Sequence, residues 1–119
     1  MTTIFVIEDQ ATNMKLITGI LSRAGFNVKT ATTADIGIPM IIENKPDLVL
    51  MDLHLPGTDG ITATRILKNN ESTKTIPIIA LTAKAMEGDR ESILEAGCDE
   101  YAAKPIRYKQ LLELINNFL

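Results

Sequence analysis

One cysteine, Cys98, is all the chain contains, so an internal disulfide is excluded and the usage fits a reducing compartment. Long apolar runs are also missing. Nothing approaches the roughly 20 residues that a membrane-spanning helix needs. The apolar start Ile4–Ile7 is cut by Glu8 and Asp9 and does not resemble a signal peptide, so none is expected. Positive charge is in deficit, with 12 basic against 15 acidic residues, and the basic ones are scattered. That pattern argues against a nucleic-acid surface. Linkers, internal repeats and low-complexity segments are absent as well. What is present is a globular balance, 45% apolar and 23% charged, over 119 residues. One domain spanning residues 1–119 is expected, in a cytoplasmic protein with neither membrane nor nucleic acid among its partners.

Short apolar runs alternate with amphipathic segments along the chain. The runs are Ile4–Ile7, Asn27–Thr30, Leu48–Met51, Ile78–Leu81 and Tyr101–Ala103. The first, third and fourth are apolar throughout, as strands covered on both faces must be. Met14, Ile17, Leu21 and Ala24 recur at helical spacing before Gly25, a C-terminal cap. Tyr108, Leu111, Leu112, Ile115, Phe118 and Leu119 form the clearest stripe, while 60–68 and 87–96 are helices of weaker period. Five strands alternating with five helices predict a doubly wound α/β fold of flavodoxin-like type. Its parallel sheet has the order 2-1-3-4-5, with any site at the carboxyl ends of the strands. Residues 34–44 should hold the second helix, yet they include Gly37 and Pro39. An interior proline costs roughly 3 kcal/mol, so a late start, with Pro39 in the first turn, is expected.

Glu8 and Asp9 follow the first strand and Asp52 ends the third, and these strands are neighbours in that order. Two carboxylates ~5 Å apart repel by about 3 kcal/mol at an effective dielectric of ~20. Such a cluster binds protons or a cation. Oxygen ligands favour a hard ion, and few protein ligands with room for water and phosphate favour magnesium over calcium. Thr82 closes the fourth strand and Lys104 the fifth, bringing a hydroxyl and an ammonium to the same rim. Each residue alone could be an ordinary strand-end or solvated group. Together they supply a carboxylate nucleophile, a metal site, a cation and a hydroxyl donor for handling a phosphoryl group.

The runs Ile7-Glu8-Asp9, Pro46–Asp52, Leu55–Gly60, Leu81-Thr82-Ala83 and Lys104-Pro105 resemble a response-regulator receiver domain over essentially the whole chain. The single-domain length resembles the chemotaxis and cell-division types. The resemblance implies a two-component switch that accepts a phosphoryl group from phosphohistidine onto Asp52. Asp9 would bind magnesium directly, Glu8 through water, and the backbone carbonyl of His54 would complete the protein ligands. Thr82 and Lys104 would each hold a phosphoryl oxygen, and the Lys104–Pro105 peptide would be cis. Tyr101 would turn inward as Thr82 moves. The implied donor is a histidine kinase or histidine phosphotransfer protein, docking on the first helix and the loop after Lys104. The chain would be a monomer or weak dimer with self-phosphorylation and self-dephosphorylation chemistry but no other enzymatic activity. With nothing following Leu119, output would pass to a downstream protein through the face of the fourth helix, fifth strand and fifth helix.

Rival readings fit less well. A flavodoxin-like cofactor carrier needs a phosphate-binding loop where Glu8-Asp9-Gln10 stands. A haloacid-dehalogenase-type phosphatase needs an aspartate where His54 stands. A pseudo-receiver that only binds partners is the remaining alternative. The chain also departs from the family pattern. Gly57-Thr58 replaces the more usual bulky residue and is expected to soften its loop, and Arg107 is a poor cap for the last helix. His54 and Lys84 sit where the family tunes phosphoryl lifetime. Cys98 is expected to be a small buried residue.

Overall fold

A computed structural model describes residues 2–83 and 87–119. Its elements run β1 (Thr3–Ile7), α1 (Ala11–Arg23), β2 (Asn27–Ala31), α2 (Ala34–Asn44), β3 (Leu48–Asp52), α3 (Gly60–Lys68), β4 (Ile78–Thr82), α4 (Glu87–Glu95), β5 (Glu100–Ala103) and α5 (Tyr108–Asn116). All strand pairs are parallel and the sheet order is β2-β1-β3-β4-β5, the predicted doubly wound arrangement. Among the described residues, no helix is long and apolar enough to cross a membrane.

Alternation along the strands builds two cores. Phe5, Ile7, Val49, Met51, Ile78 and Ala80 pack with Ile41 of α2, Ala63 and Leu67 of α3, and Ile93 of α4. Ile4, Val6, Leu48, Leu50, Ile79 and Leu81 pack with Ile17 and Leu21 of α1 and Leu111 and Ile115 of α5. Apolar residues in every position of these strands therefore mean two covered faces. Each such large side chain, fully buried, contributes about 1.5–3 kcal/mol before the ordering cost of the chain is set against it.

The second helix corrects the expectation of a late start, because α2 begins at Ala34 and carries Pro39 in its interior. Its start is set upstream by Thr33, whose side chain accepts a hydrogen bond from Ile36 N–H at 3.2 Å, with Asp35 in the first turn. Pro39 cannot donate to the Asp35 carbonyl, but both residues are exposed, so water can serve that oxygen. Gly37 has a packing reason instead. A Cβ there would lie 2.6 Å from Ile7 Cδ1 and 3.3 Å from the Ala31 Cβ. Without it, α2 lies closely on β1 and β2.

At the amino ends of β4 and β5, Lys68 Nζ donates to the Ile76 carbonyl and to Asp99 Oδ2, each at 2.9 Å. The same Asp99 oxygen accepts from Ile78 N–H at 2.8 Å. This staple closes the end of the sheet away from the acids. Cys98 is buried as expected, and burial pushes its thiol pKa up. Arg107 makes no side-chain cap for α5, also as expected.

Candidate functional site

Strand parity determines which groups meet. Glu8 continues the row of Ile4 and Val6, Asp52 that of Leu48 and Leu50, and Lys104 that of Ala102, all on the α1/α5 face. Their side chains do meet. Lys104 Nζ donates to Glu8 Oε1 at 2.9 Å and lies 3.3 Å from Asp52 Oδ2. Thr82 continues the opposite row, that of Ile78 and Ala80, against which Tyr101 also packs. The Lys104 N–H donates to the Thr82 carbonyl at 2.7 Å, so the ends of β4 and β5 are held together. The Lys104–Pro105 peptide is cis, as the resemblance implies.

Glu8, Asp52 and Thr82 are buried and Asp9 is exposed. Burial, together with a hydrogen bond to Asp52, raises the Glu8 pKa to about 6 against the pull of Lys104. Burial would raise Asp52 too. Hydrogen bonds with Glu8 and from His54 N–H, the latter at 3.1 Å, together with the Lys104 charge, outweigh it and hold that carboxyl below the usual range. Lys104 loses solvation, but its two acidic partners more than compensate and raise its pKa. Of the pair, Glu8 therefore takes up a proton first, as pH falls toward 6, and Asp52 stays ionised to lower pH.

A pH dependence follows from these shifts. Glu8 holds its proton more tightly folded than unfolded, so its contribution favours the fold below about pH 4.5 and is lost as pH rises through about 6. The loss amounts to about 2 kcal/mol. Asp52, shifted down, acts oppositely, stabilising above its ordinary value of 3.8 and ceasing to do so as pH falls. In chelator, Glu8→Gln should thus raise the thermal midpoint near pH 7.5, by the equivalent of about 1–2 kcal/mol, and change it little near pH 4.5. Equal midpoint differences at both pH values would contradict this assignment.

Carboxylate oxygens of Glu8, Asp9 and Asp52 lie within 4.8 Å of one another. Three acids against one ammonium leave two negative charges, which suits a divalent ion. An octahedral magnesium site places its ligand oxygens about 3–4 Å apart, so small side-chain movements suffice. Glu8 is already engaged on both oxygens, Oε1 by Lys104 and Oε2 by Gln10 N–H at 3.2 Å. The exposed Asp9 is better placed for direct ligation. His54 is exposed, and its backbone sits two residues past Asp52. Lys84 lies outside the described residues.

Three features escaped the sequence. Gly60 reads there only as a helix start, but a Cβ on it would stand 2.3 Å from the Asp52 carbonyl oxygen and 2.6 Å from Leu53 Cα. The Arg90 guanidinium lies 6.0 Å from the centre of the half-buried Tyr101 ring. Thr58, expected to soften its loop, instead donates to Asp35 Oδ1 at 2.8 Å. Only a threonine following a glycine hinted at this, and the partner is 23 residues away.

The model of the response regulator receiver domain matches residues 4–116, and the chain belongs to this family. It is 36% identical over 116 residues to the polar-differentiation response regulator DivK of Brucella ovis, covering 98% of this chain and 94% of that relative. A crystal structure of the receiver domain of sensor histidine kinase PA1611 from Pseudomonas aeruginosa, with a magnesium ion coordinated in its active-site cleft, matches with a TM-score of 0.92. Identity there is 34%, over 98% of this chain and 96% of that one. The chemotaxis protein CheY4 of Vibrio cholerae shares the fold, with a TM-score of 0.94 at 19% identity over 100% and 99% of the two chains. The protein is a phosphoacceptor switch of two-component signalling, a class that interacts with histidine kinases and downstream targets.

Proposed function

We propose that the chain, acting as one receiver over residues 1–119, accepts a phosphoryl group from a phosphohistidine onto Asp52. The observation that carries this reading is the buried cluster in which Lys104 bridges Glu8 and Asp52 at the carboxyl ends of β1, β3 and β5. Asp9, Asp52 and the His54 carbonyl would hold magnesium, with Glu8 acting through water. Bound there, the ion supplies positive charge to neutralise the phosphoryl oxygens. Asp52, kept ionised, attacks phosphorus in line. The new P–O bond forms as the P–N bond breaks, and the leaving imidazole takes a proton from solvent. Lys104 pairs with one phosphoryl oxygen and Thr82 donates to another. Acetyl phosphate would transfer by the same in-line attack with acetate as the leaving group, and water attacking the phosphoaspartate would release inorganic phosphate and restore the Asp52 carboxylate.

Thr82 and Tyr101 share the face covered by α3 and α4, which supports coupling between them. As Thr82 shifts toward the phosphoryl group, Tyr101 moves further inward, changing the α4–β5–α5 face offered to a downstream protein. The donor docks on the other face of the sheet, the one covered by α1 and α5. A mostly apolar groove of about 630 Å³ runs between α1 and α5, lined by Leu16, Ile20, Arg23, Ala24, Ile106, Tyr108 and Leu112. Leu16 and Tyr108 are 47% and 56% exposed, which suits a helical phosphotransfer partner.

The test is intact-mass measurement after treatment with acetyl phosphate or phosphoramidate. With magnesium the chain should gain one phosphoryl mass, and excess chelator should prevent the gain. Protein that stays unmodified under several donors would sink the proposal.

A further inference from the structure

We infer that Thr58 is a positioning residue for the metal side of the site, acting through its hydrogen bond to Asp35. The inference rests on the magnesium reading above. Residues 53–59 connect the phosphoacceptor to α3, and both ends of this loop are anchored. Leu53 N–H donates to the Leu81 carbonyl and Gly60 N–H to the Leu53 carbonyl, each at 3.1 Å. Asp59 caps α3 by accepting from Thr62 N–H at 2.8 Å. Between the anchors stands an exposed crest, Pro56-Gly57, followed by half-buried Thr58. Among the described residues, the bond from Thr58 Oγ1 to Asp35 Oδ1, at 2.8 Å, ties this crest to another element.

Asp35 is a rigid post. It sits in the first turn of α2, where Thr33 caps the helix and the dipole favours a carboxylate. The fit against the crest is close. Gly57 has φ +73°, and a Cβ there would come within 3.1 Å of Asp35 Oδ2. A glycine thus permits both the left-handed backbone and the approach of the carboxylate. The charge-assisted bond then restrains the segment that carries the His54 carbonyl. A ligand held in place before binding need not be ordered during it, so the tether should strengthen magnesium binding without touching the ion.

The experiment uses the full chain and magnesium alone, titrated by calorimetry. Thr58→Val keeps the shape and removes the donor, and should raise the magnesium Kd about fivefold, the equivalent of one ordinary hydrogen bond. Thr58→Ser restores a donor and should return Kd to within about twofold of the parent. Amide hydrogen exchange across 54–59 should quicken in the valine variant and recover in the serine variant. Asp35→Asn, which keeps an acceptor, should fall between them, separating hydrogen bond from charge. A valine variant that folds and binds magnesium like the parent would overturn the tether. Serine failing to rescue would do the same, since the hydroxyl would then not be the cause. A parent chain that binds no magnesium would overturn the magnesium reading itself.

Discussion

Asp52→Asn is expected to abolish phosphoryl uptake from any donor while leaving the fold intact. The amide lacks the ionised oxygen that would attack phosphorus in the proposed transfer, and its neighbours are committed elsewhere. Glu8 is the other buried acid, but it is held by Lys104 at 2.9 Å and its pKa is raised to about 6. Asp9 is exposed and would serve as a metal ligand. Stability should survive for equally local reasons. Asparagine keeps an oxygen to accept from His54 N–H, and Lys104 keeps Glu8 as its partner at 2.9 Å. One carboxylate fewer relieves repulsion in a buried acidic cluster, which offsets the loss of the stabilised Asp52 charge, so the metal-free variant should melt close to the parent. Intact mass after acetyl phosphate treatment with magnesium reports uptake, and a thermal melt reports the fold. Phosphoryl mass on the asparagine variant, at a rate near the parent's, would remove Asp52 from its role.

The second large effect belongs to a residue with no side chain. Gly60→Ala should destabilise the protein by about 3 kcal/mol or more and slow phosphorylation with it. The added Cβ would meet the backbone of the Asp52–Leu53 peptide, the Asp52 oxygen at 2.3 Å, Leu53 Cα at 2.6 Å and the Asp52 carbonyl carbon at 3.0 Å. None of these can rotate away as a side-chain tip could. Either α3 retreats or the peptide after Asp52 turns, and both disturb the carboxylate. Gly19 is the internal control. It is exposed in α1 with nothing within 4 Å of its Cβ direction, so Gly19→Ala should stabilise by about 0.5–1 kcal/mol. Urea melts of the two variants with opposite signs are the expected result. Similar small effects in both would mean that α3 does not press on Asp52 as described.

Much of this molecule could be read in its residues, and the reason is range. Strand alternation and helix period are local patterns, so the ten elements and their wrapping of a parallel sheet were legible. Glu8, Asp9, Asp52, Thr82 and Lys104 announced a site because a doubly wound sheet sends the carboxyl ends of its strands to one rim. Pro39 misled because propensity is also local. Its penalty counts against a helix, while the compensations come from the Thr33 cap and from Gly37, which lets α2 lie close to Ile7 and Ala31.

By itself, the sequence determined the chemistry available: three acids, a hydroxyl and a cation, each at the end of a strand, on a chain patterned to bury that sheet on both faces. Only the tertiary structure decided how those groups share charge. Lys104 lies 96 residues from the Glu8 it contacts. Burial and the hydrogen bond to Asp52 raise the Glu8 pKa against the pull of that lysine, while its charge helps to keep Asp52 ionised. The Asp35–Thr58 bond and the seat of Gly60 against Asp52 are of the same kind. They depend on distances between elements, which packing sets and which no local period records.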